Sequence, residues 1–453
     1  MKKKLLALVL STTMVMSLFA GCGSKEEAST SDAATTEDTA DDAAVEDTAD
    51  AATGSVYYLN FKPEADQAWQ ELAATYTEQT GVPVKIVTAA SGEYEQTLTS
   101  EMEKSSAPTL FQCGNDQAVA TWKDYLYDFA GTDVLAEMST DEYNLTGDNG
   151  EVYAIAYCYE SYGIITNKAL LAEAGYDVSD ITDFASLKAV VEDITARKDE
   201  LGFAAFSSAG LDDSSAWRFT GHLANMPLYY EFRDDNVTEQ PATVTGAYLE
   251  NYKNIWDLYI NNSTCTPAEL ATKTADESEA EFGLGQAVFF QNGSWEYNNL
   301  VNDEERGFLM NPEDLTMIPI YCGVEGEENA ALCSGTENCW AVNSPATEED
   351  IQATLAFLKW VVTSDEGTTM MAEEFGAVPF KSAKEATNVF CEAANQCVAD
   401  GKYNVSWAFN YTPVVETWRA GVKSALLQYS NGGDWANVET AYINGWATQY
   451  EAQ

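Results

Sequence analysis

The chain changes character at Ser55, beyond which apolar positions recur with the two periods that mark strands and helices. Val56-Tyr57-Tyr58-Leu59-Asn60 is a short β-type run. Trp69, Leu72, Ala73 and Tyr76 then share one face of a predicted helix, and Gly81 closes it. Val84-Lys85-Ile86-Val87 predicts a second strand, Tyr94, Leu98 and Met102 a second helix, and Thr109-Leu110-Phe111 a third strand. This alternation predicts an α/β fold with a parallel sheet covered by helices. Further on, Ile351, Leu355, Leu358 and Val362 mark one amphipathic helix, and Trp418, Val422, Ala425 and Tyr429 another. No repeat of 20 to 50 residues suggests a solenoid. Ligands of open α/β sheets sit beyond the carboxyl ends of the strands, which directs attention to the loops after Leu59 and Phe111.

The segment before Ser55 has no such periodicity. Three lysines, an apolar stretch from Leu5 to Ala20 and small residues before Cys22 have the layout of a secretory signal over 1–21, too short for a membrane span. Leu18-Phe19-Ala20-Gly21-Cys22 resembles a bacterial lipobox, with Phe19 where the pattern most often has Leu. That resemblance implies Cys22 as the lipid-bearing N-terminus, anchored through more than one acyl chain. Residues 23–54 hold ten acidic residues, one lysine and no large apolar side chain except Val45. Such a segment cannot offset its ordering entropy by burial, so 22–54 reads as a lipidated cysteine followed by a disordered acidic tether.

Charge narrows the function classes. The 453 residues carry 73 Asp+Glu against 23 Lys+Arg, a formal charge of -50, with one histidine, His222. A surface this acidic disfavours nucleic acid and anionic lipid headgroups. With 45% hydrophobic residues, the body can still bury a large core of about two or three domains' worth. Ten acids and four bases precede Ser55, which leaves 63 against 19, or -44, in the body. Apart from Cys22, cysteines stand at 113, 158, 265, 322, 333, 339, 391 and 397; an exported location permits disulfides, and the equally spaced pairs 333/339 and 391/397 draw attention. Buried free thiols fit the same residues. Neither spacing is a zinc pattern and His222 has no second histidine, so no metal or cofactor is expected.

Four stretches together resemble the extracellular solute-binding proteins of ATP-driven (ABC) importers, in particular the carbohydrate-binding group that includes the maltodextrin binders. Ala107-Pro108-Thr109-Leu110-Phe111 is similar to that family's Pro-Asp-aliphatic-Phe strand, with Thr109 in place of Asp. Gly150 to Ile155 through Asn167-Lys168-Ala169-Leu170-Leu171 resembles its hinge-crossing segment, with Thr166 in place of Tyr. Gly285 to Trp295 resembles its Gly-Lys-Ala-Ala-Met, Gly-x-Trp element, and Ala341 to Ser344 leads through the Ile351 helix to Gly376-Ala377-Val378-Pro379, a late family pattern. The resemblance implies a two-lobed, hinge-type fold like that of periplasmic binding proteins, each lobe a mainly parallel sheet with flanking helices. It places 55–160 and 330–378 in lobe 1, and 161–329 and 379–453 in lobe 2, with crossings near 158–163, 328–332 and 376–380. It also implies a monomeric, lipid-anchored receptor on the outer face of the cell membrane that delivers an oligosaccharide to an ABC transporter permease.

A sugar needs a flat aromatic platform for its C–H face and carboxylates or amides for its hydroxyl rim. By resemblance Trp295, after the turn-like Gln291-Asn292-Gly293-Ser294, is the platform, and Asp116 and Glu160 align with ligand-contacting acids. Asp116 also suits the N-cap of a helix beginning at Gln117, and Glu160 a hinge ion pair. Tyr159 is a stacking or hydroxyl partner within Tyr157 to Tyr162. Asn60 and Lys62 occupy the loop after the first strand, and Trp217 sits where the family contributes second-lobe contacts. Of the late aromatic group, Trp407 and Phe409 are expected in the cleft, whereas Trp418 fits its helix's apolar stripe and is expected in the core. Two other readings compete. A surface glycoside hydrolase needs a carboxylate pair flanking the scissile bond, and so many acids supply one by chance. The same fold could instead bind a peptide or polyamine, which the acidic field suits. No Gly-x-Ser-x-Gly elbow, P-loop or His-Glu-x-x-His motif is present, and a non-enzyme is expected.

Overall fold

Twelve strands stand among the described residues, the first three of them where the periodicities above place them. In the computed structural model, residues 54–453 are described apart from 305, 337 and 338. The secretory signal, Cys22 and nearly all of the tether therefore lie outside the described residues. The strands are β1 (Val56–Asn60), β2 (Val84–Thr88), β3 (Leu110–Cys113), β4 (Leu145–Thr146), β5 (Val152–Ala156), β6 (Glu160–Asn167), β7 (Ala204–Phe206), β8 (Ala287–Gly293), β9 (Leu315–Ile318), β10 (Ala330–Gly335), β11 (Cys339–Val342) and β12 (Tyr403–Val405). They form two sheets, ordered β2-β1-β3-β11-β5-β4 and β12-β10-β6-β8-β7, with β9 also paired to β6.

The first three strand–helix units match their sequence pattern. The Asp66–Thr80 helix buries Trp69, Leu72, Ala73 and Tyr76, and ends on Gly81 at φ 76°, a left-handed conformation that glycine adopts without strain. Parallel pairing of β1 with both β2 and β3 follows. Both sheets are nonetheless mixed. β11 enters between β3 and β5 antiparallel to each, and β6 runs antiparallel to β8, β9 and β10. These strands arrive directly from the other sheet instead of through a crossover helix, so nothing forces them parallel.

Each sheet is buried on both faces, which explains its nearly continuous apolar strands. Along β3 and β11, Leu110, Trp340 and Val342 pack into one cluster with Trp69 and Phe357, while Phe111 and Ala341 pack into another on the opposite face. In the second sheet Tyr162, Ile164 and Phe289 face one cluster, and Ile165, Phe290 and Leu332 the other. Trp418 lies in the first of these, 2% exposed, with its indole N–H donating to the Tyr442 carbonyl at 3.0 Å.

The chain passes between the sheets at three places. The first lies between β5 and β6, and the third follows Phe375, where Tyr159 N donates to Ala377 O at 2.8 Å and so ties the two passages together. The second lies between β10 and β11, later than the 328–332 expected from sequence. β10 pairs with β6 and β12, so 330–335 belongs to the second sheet. Phe380, conversely, packs in the first sheet's core. No break in hydropathy marks these points, because the strands on either side are equally buried.

All eight cysteines among the described residues are free. Cys391 and Cys397 stand six residues apart on the Val389–Ala399 helix, about 9 Å along its axis, and Cys333 and Cys339 lie in different sheets. Cys113 faces Cys339 across β3 and β11, but the Asn343 N to Thr109 O bond sets the ladder so that this is a hydrogen-bonded pair, with Cβ atoms too far apart for a relaxed disulfide.

Trp340 is fully buried on β11, stacked on Tyr157 at 4.5 Å, with its N–H donating to the Tyr58 hydroxyl at 3.3 Å. Trp340→Ala should destabilise the protein by about 3–5 kcal/mol. Urea unfolding should show this as a lower midpoint, and an unchanged midpoint would refute this role for β11.

Candidate functional site

Two glycines make room for two indoles at one end of the second sheet. At Gly293 of β8 a Cβ would clash with Cη2 of Trp295, against the ring, and at Gly335 of β10 it would lie 2.8 Å from Cγ of Trp407. Between these strands runs β6, where Tyr162 is in register with Gly293 on one side and Cys333 on the other. The rings of Trp295 and Trp407 therefore lie against the strands, on either side of Tyr162.

His222 completes the group. It sits in a π-helical turn, Arg218–Leu223, closed by Ala224 N donating to Phe219 O at 3.1 Å. Such turns are costly in an ordinary helix and concentrate at functional sites. Its imidazole stacks on Tyr162 at 4.1 Å with only 6° between the planes, and the Tyr162 hydroxyl donates to the His222 carbonyl at 3.2 Å. Around it stand Trp217 at 5.0 Å, Trp295 at 5.4 Å, Phe409 at 5.7 Å and Trp407 at 6.1 Å. Trp217 and Trp295 are half-buried and form the open side, whereas Trp407 and Phe409 are buried behind.

Several polar atoms in this group have no protein partner. His222 Nδ1, Trp407 Nε1 and both amide atoms of Gln291 are buried without a hydrogen bond among the described residues. Gln291 lies two residues before Gly293, on the same face of β8. Unmet buried polar groups are costly, so this end of the sheet is prepared for polar partners as well as flat apolar ones.

The first sheet reaches the group through Lys62. Asn60 is fully buried at the end of β1; its Nδ2 donates to Lys62 O at 2.7 Å and Thr88 Oγ1 at 3.1 Å, and its Oδ1 accepts from Lys62 N at 3.2 Å. Asn60 thus shapes the turn that aims Lys62. The Lys62 ammonium lies 2.8 Å from Glu160 Oε1, 3.2 Å from Glu64 Oε1 and 5.5 Å from the Trp295 ring centre. Burial works to lower its pKa, but the Glu160 and Glu64 carboxylates outweigh burial and hold it above its ordinary value. Lys62 is therefore a fixed cation joining the two sheets.

Sequence-expected residues thus fall into two sets. Trp217, Trp295, Trp407 and Phe409 converge on His222, and Lys62 with Glu160 adjoins Trp295. Asp116 is exposed at the start of the Asp116–Trp122 helix, whose cap is Asn115, with Oδ1 accepting from Ala118 N at 2.9 Å. Tyr159 belongs to the passage between sheets, its ring 5.0 Å from Tyr143 and its hydroxyl 3.4 Å from Asn404 Nδ2. His222 and Gln291 were not expected as site residues, and the lone histidine in the composition was the sole signal for the first.

Burial first, and then Arg419, Arg218 and Lys62, hold the His222 imidazole well below its ordinary pKa of 6.5. The unfolded chain therefore takes up a proton before the folded one as pH falls through 6.5, and this residue's contribution to stability is lost towards acid pH. The single imidazole resonance in an NMR pH titration should keep its neutral-form shift from pH 8 through 6.5 and move only at distinctly lower pH. A midpoint near 6.5 would contradict the burial described. Separately, Lys62→Met should destabilise by about 3–5 kcal/mol, because the buried Glu160 loses its cation. Adding Glu160→Gln should restore much of the loss in a double-mutant cycle, and strictly additive losses would show that the pair does not couple.

The chain matches, over residues 71–395, a family model described as bacterial extracellular solute-binding protein. No curated protein sequence matches it. Among solved structures, it is similar to the solute-binding protein RafE in complex with raffinose, at 18% identity and TM-score 0.69, covering 88% of this chain and 100% of that one; RafE without ligand is described from Streptococcus pneumoniae. A chitin oligosaccharide binding protein gives 16% identity and TM-score 0.67, over 88% and 99% of the two chains. A sugar transporter of Bacillus licheniformis in complex with stachyose gives 15% and 0.64, over 87% and 100%. At these identities the likeness establishes a shared two-lobed fold.

Proposed function

We propose that this chain, which belongs to the bacterial extracellular solute-binding proteins, captures an oligosaccharide at the aromatic group around His222 and delivers it to the permease of an ABC importer. The observation that carries this reading is the half-open pair of Trp217 and Trp295, backed by buried rings and reached by Lys62 from the other sheet. The open ring faces suit the C–H side of a sugar, and nearby amide, carboxylate and ammonium groups suit its hydroxyls. Glu160, Tyr159, Asn60 and Asp116 belong to the proposed surroundings as rim or support. The raffinose and stachyose complexes of two structural relatives, and the chitin oligosaccharide binding protein, agree with this ligand class.

Capture works through the two sheets. A ligand that touches both lobes stabilises their closed arrangement, and only differential affinity for that arrangement drives closure. The lipobox-like ending at Cys22 supports attachment to the outer face of the membrane. No helix among the described residues is long and apolar enough to cross one. A hydrolytic reading gains nothing from the geometry, because the two carboxylates at Lys62, Glu160 and Glu64, are both engaged by its ammonium.

A thermal-shift screen of the full chain against oligosaccharides, amino acids, peptides and polyamines tests the proposal, since binding to the folded state raises the melting temperature by mass action. At least one oligosaccharide should raise it, and Trp295→Ala should weaken that ligand by about tenfold or more, equivalent to about 1.4 kcal/mol. A response to polyamines or peptides with none to glycans would defeat the assignment.

A further inference from the structure

Bases are scarce in this chain, with 23 Lys+Arg against 73 Asp+Glu, so a base with little acidic company stands out. Arg218 is not one, since Glu296, Glu281 and Glu279 act on it, and it is buried donating to Ser215 Oγ at 2.6 Å, Ser278 Oγ at 2.9 Å and Gln291 O at 3.3 Å. Those bonds give it a structural role. Arg419 differs. It projects from the Val415–Ser430 helix with its guanidinium 5.6 Å from the Phe409 ring centre, and a Cβ at Gly221, in the π-helical turn, would lie 2.8 Å from its Nη2. Its Nε, like that of Arg218, is buried with no hydrogen-bond partner among the described residues. Among the described residues, its carboxylate within 4.0 Å is Glu416, 3.5 Å from Nη1 and 57% exposed.

Three cations act on His222: Arg419, Arg218 and Lys62. Lys62 is held by the buried Glu160 and by Glu64, and Arg218 has Glu296, Glu281 and Glu279 in reach, whereas the partner of Arg419 is the exposed Glu416. We infer that the captured oligosaccharide carries a carboxylate, as uronic-acid sugars do, and that Arg419 binds this group beside the faces of Trp217 and Trp295. This rests on the oligosaccharide reading and specifies its ligand class.

The chemistry follows from the guanidinium. Its Nε–H and Nη–H point in parallel and match the two oxygens of a carboxylate, whereas a sugar hydroxyl accepts at one oxygen. A rigid guanidinium held by Phe409 and by the bare backbone of Gly221 loses little freedom on binding. Releasing Glu416 costs little, because an exposed ion pair contributes little to stability. Burial first, and then the like charge of Glu416, raise the pKa of Glu95 in the first lobe, and the two carboxylates mark an acidic rim. The net charge slows the approach of an anion more than it weakens its binding, since charges beyond about 8 Å are screened at physiological ionic strength, whereas Glu416 lies inside that range and must swing aside.

Matched neutral and acidic oligosaccharides test the inference by calorimetric titration of the full chain: galactan with galacturonan fragments, glucan with glucuronan, and mannan with mannuronan, at equal length. At least one uronic-acid fragment should bind about tenfold or more tightly than its neutral counterpart, and added salt should narrow the gap. Arg419→Gln should bring the pair to parity mainly by weakening the acidic member, and Arg419→Lys should recover part of the difference. Neutral fragments that bind as tightly as acidic ones in the wild-type protein would overturn the inference while leaving oligosaccharide capture intact. So would an equal loss for both members in Arg419→Gln. Failure of every glycan to bind would instead remove the oligosaccharide reading and this inference with it.

Discussion

A buried ammonium–carboxylate pair, Lys62 with Glu160, is the contact on which the arrangement of the two sheets depends. Removing two charges from water costs several kcal/mol each, and the pair persists only where geometry and further hydrogen bonds compensate. Here the compensation is built from sequence neighbours. Asn60 folds the chain after β1 so that Lys62 points away from its own sheet, and Glu160 opens β6 in register with Gly335. One ion pair therefore links the end of β1, the first passage between sheets and the indole of Trp295.

The second sheet answers with shape. Gly293 and Gly335 let two indoles lie against their strands, and Tyr162 between them supports His222. The consequence is a neutral imidazole enclosed by rings of which two are half-open, with the Arg419 and Lys62 cations beside it. A flat, partly apolar, hydroxyl-rich molecule fits such a surface. The two arrangements meet at Lys62, whose ammonium pairs with Glu160 and lies 5.5 Å from the Trp295 ring centre.

Much of the fold was legible in the sequence. Period-3.6 stripes such as Trp69, Leu72, Ala73 and Tyr76, and the β-type runs before and after them, define elements through local burial alone. The antiparallel entry of β6 and β11 was not legible, because pairing direction depends on the route between sheets, which hydropathy does not encode. The same holds for β10, whose apolar run suits either lobe. At the proposed site, Trp217, Trp295, Trp407 and Phe409 were singled out separately on position, yet nothing in their spacing foretold that they meet around one histidine. Gly335 and Gly221 look like ordinary loop or helix glycines until the side chains lying over them are seen. Asp116 illustrates the reverse case, since the helix cap belongs to its neighbour Asn115 and the side chain stays exposed.

Because the chain contains a single histidine, the claim that sugar binds on the rings surrounding it can be read directly. The decisive measurement is the His222 imidazole resonance during titration with a glycan that raises the melting temperature. A ligand resting on Trp217 and Trp295 shifts those rings and changes their ring-current field, so the resonance should move in proportion to occupancy and saturate with the binding curve. A glycan that saturates the protein while the resonance stays fixed would place the site elsewhere and contradict the account.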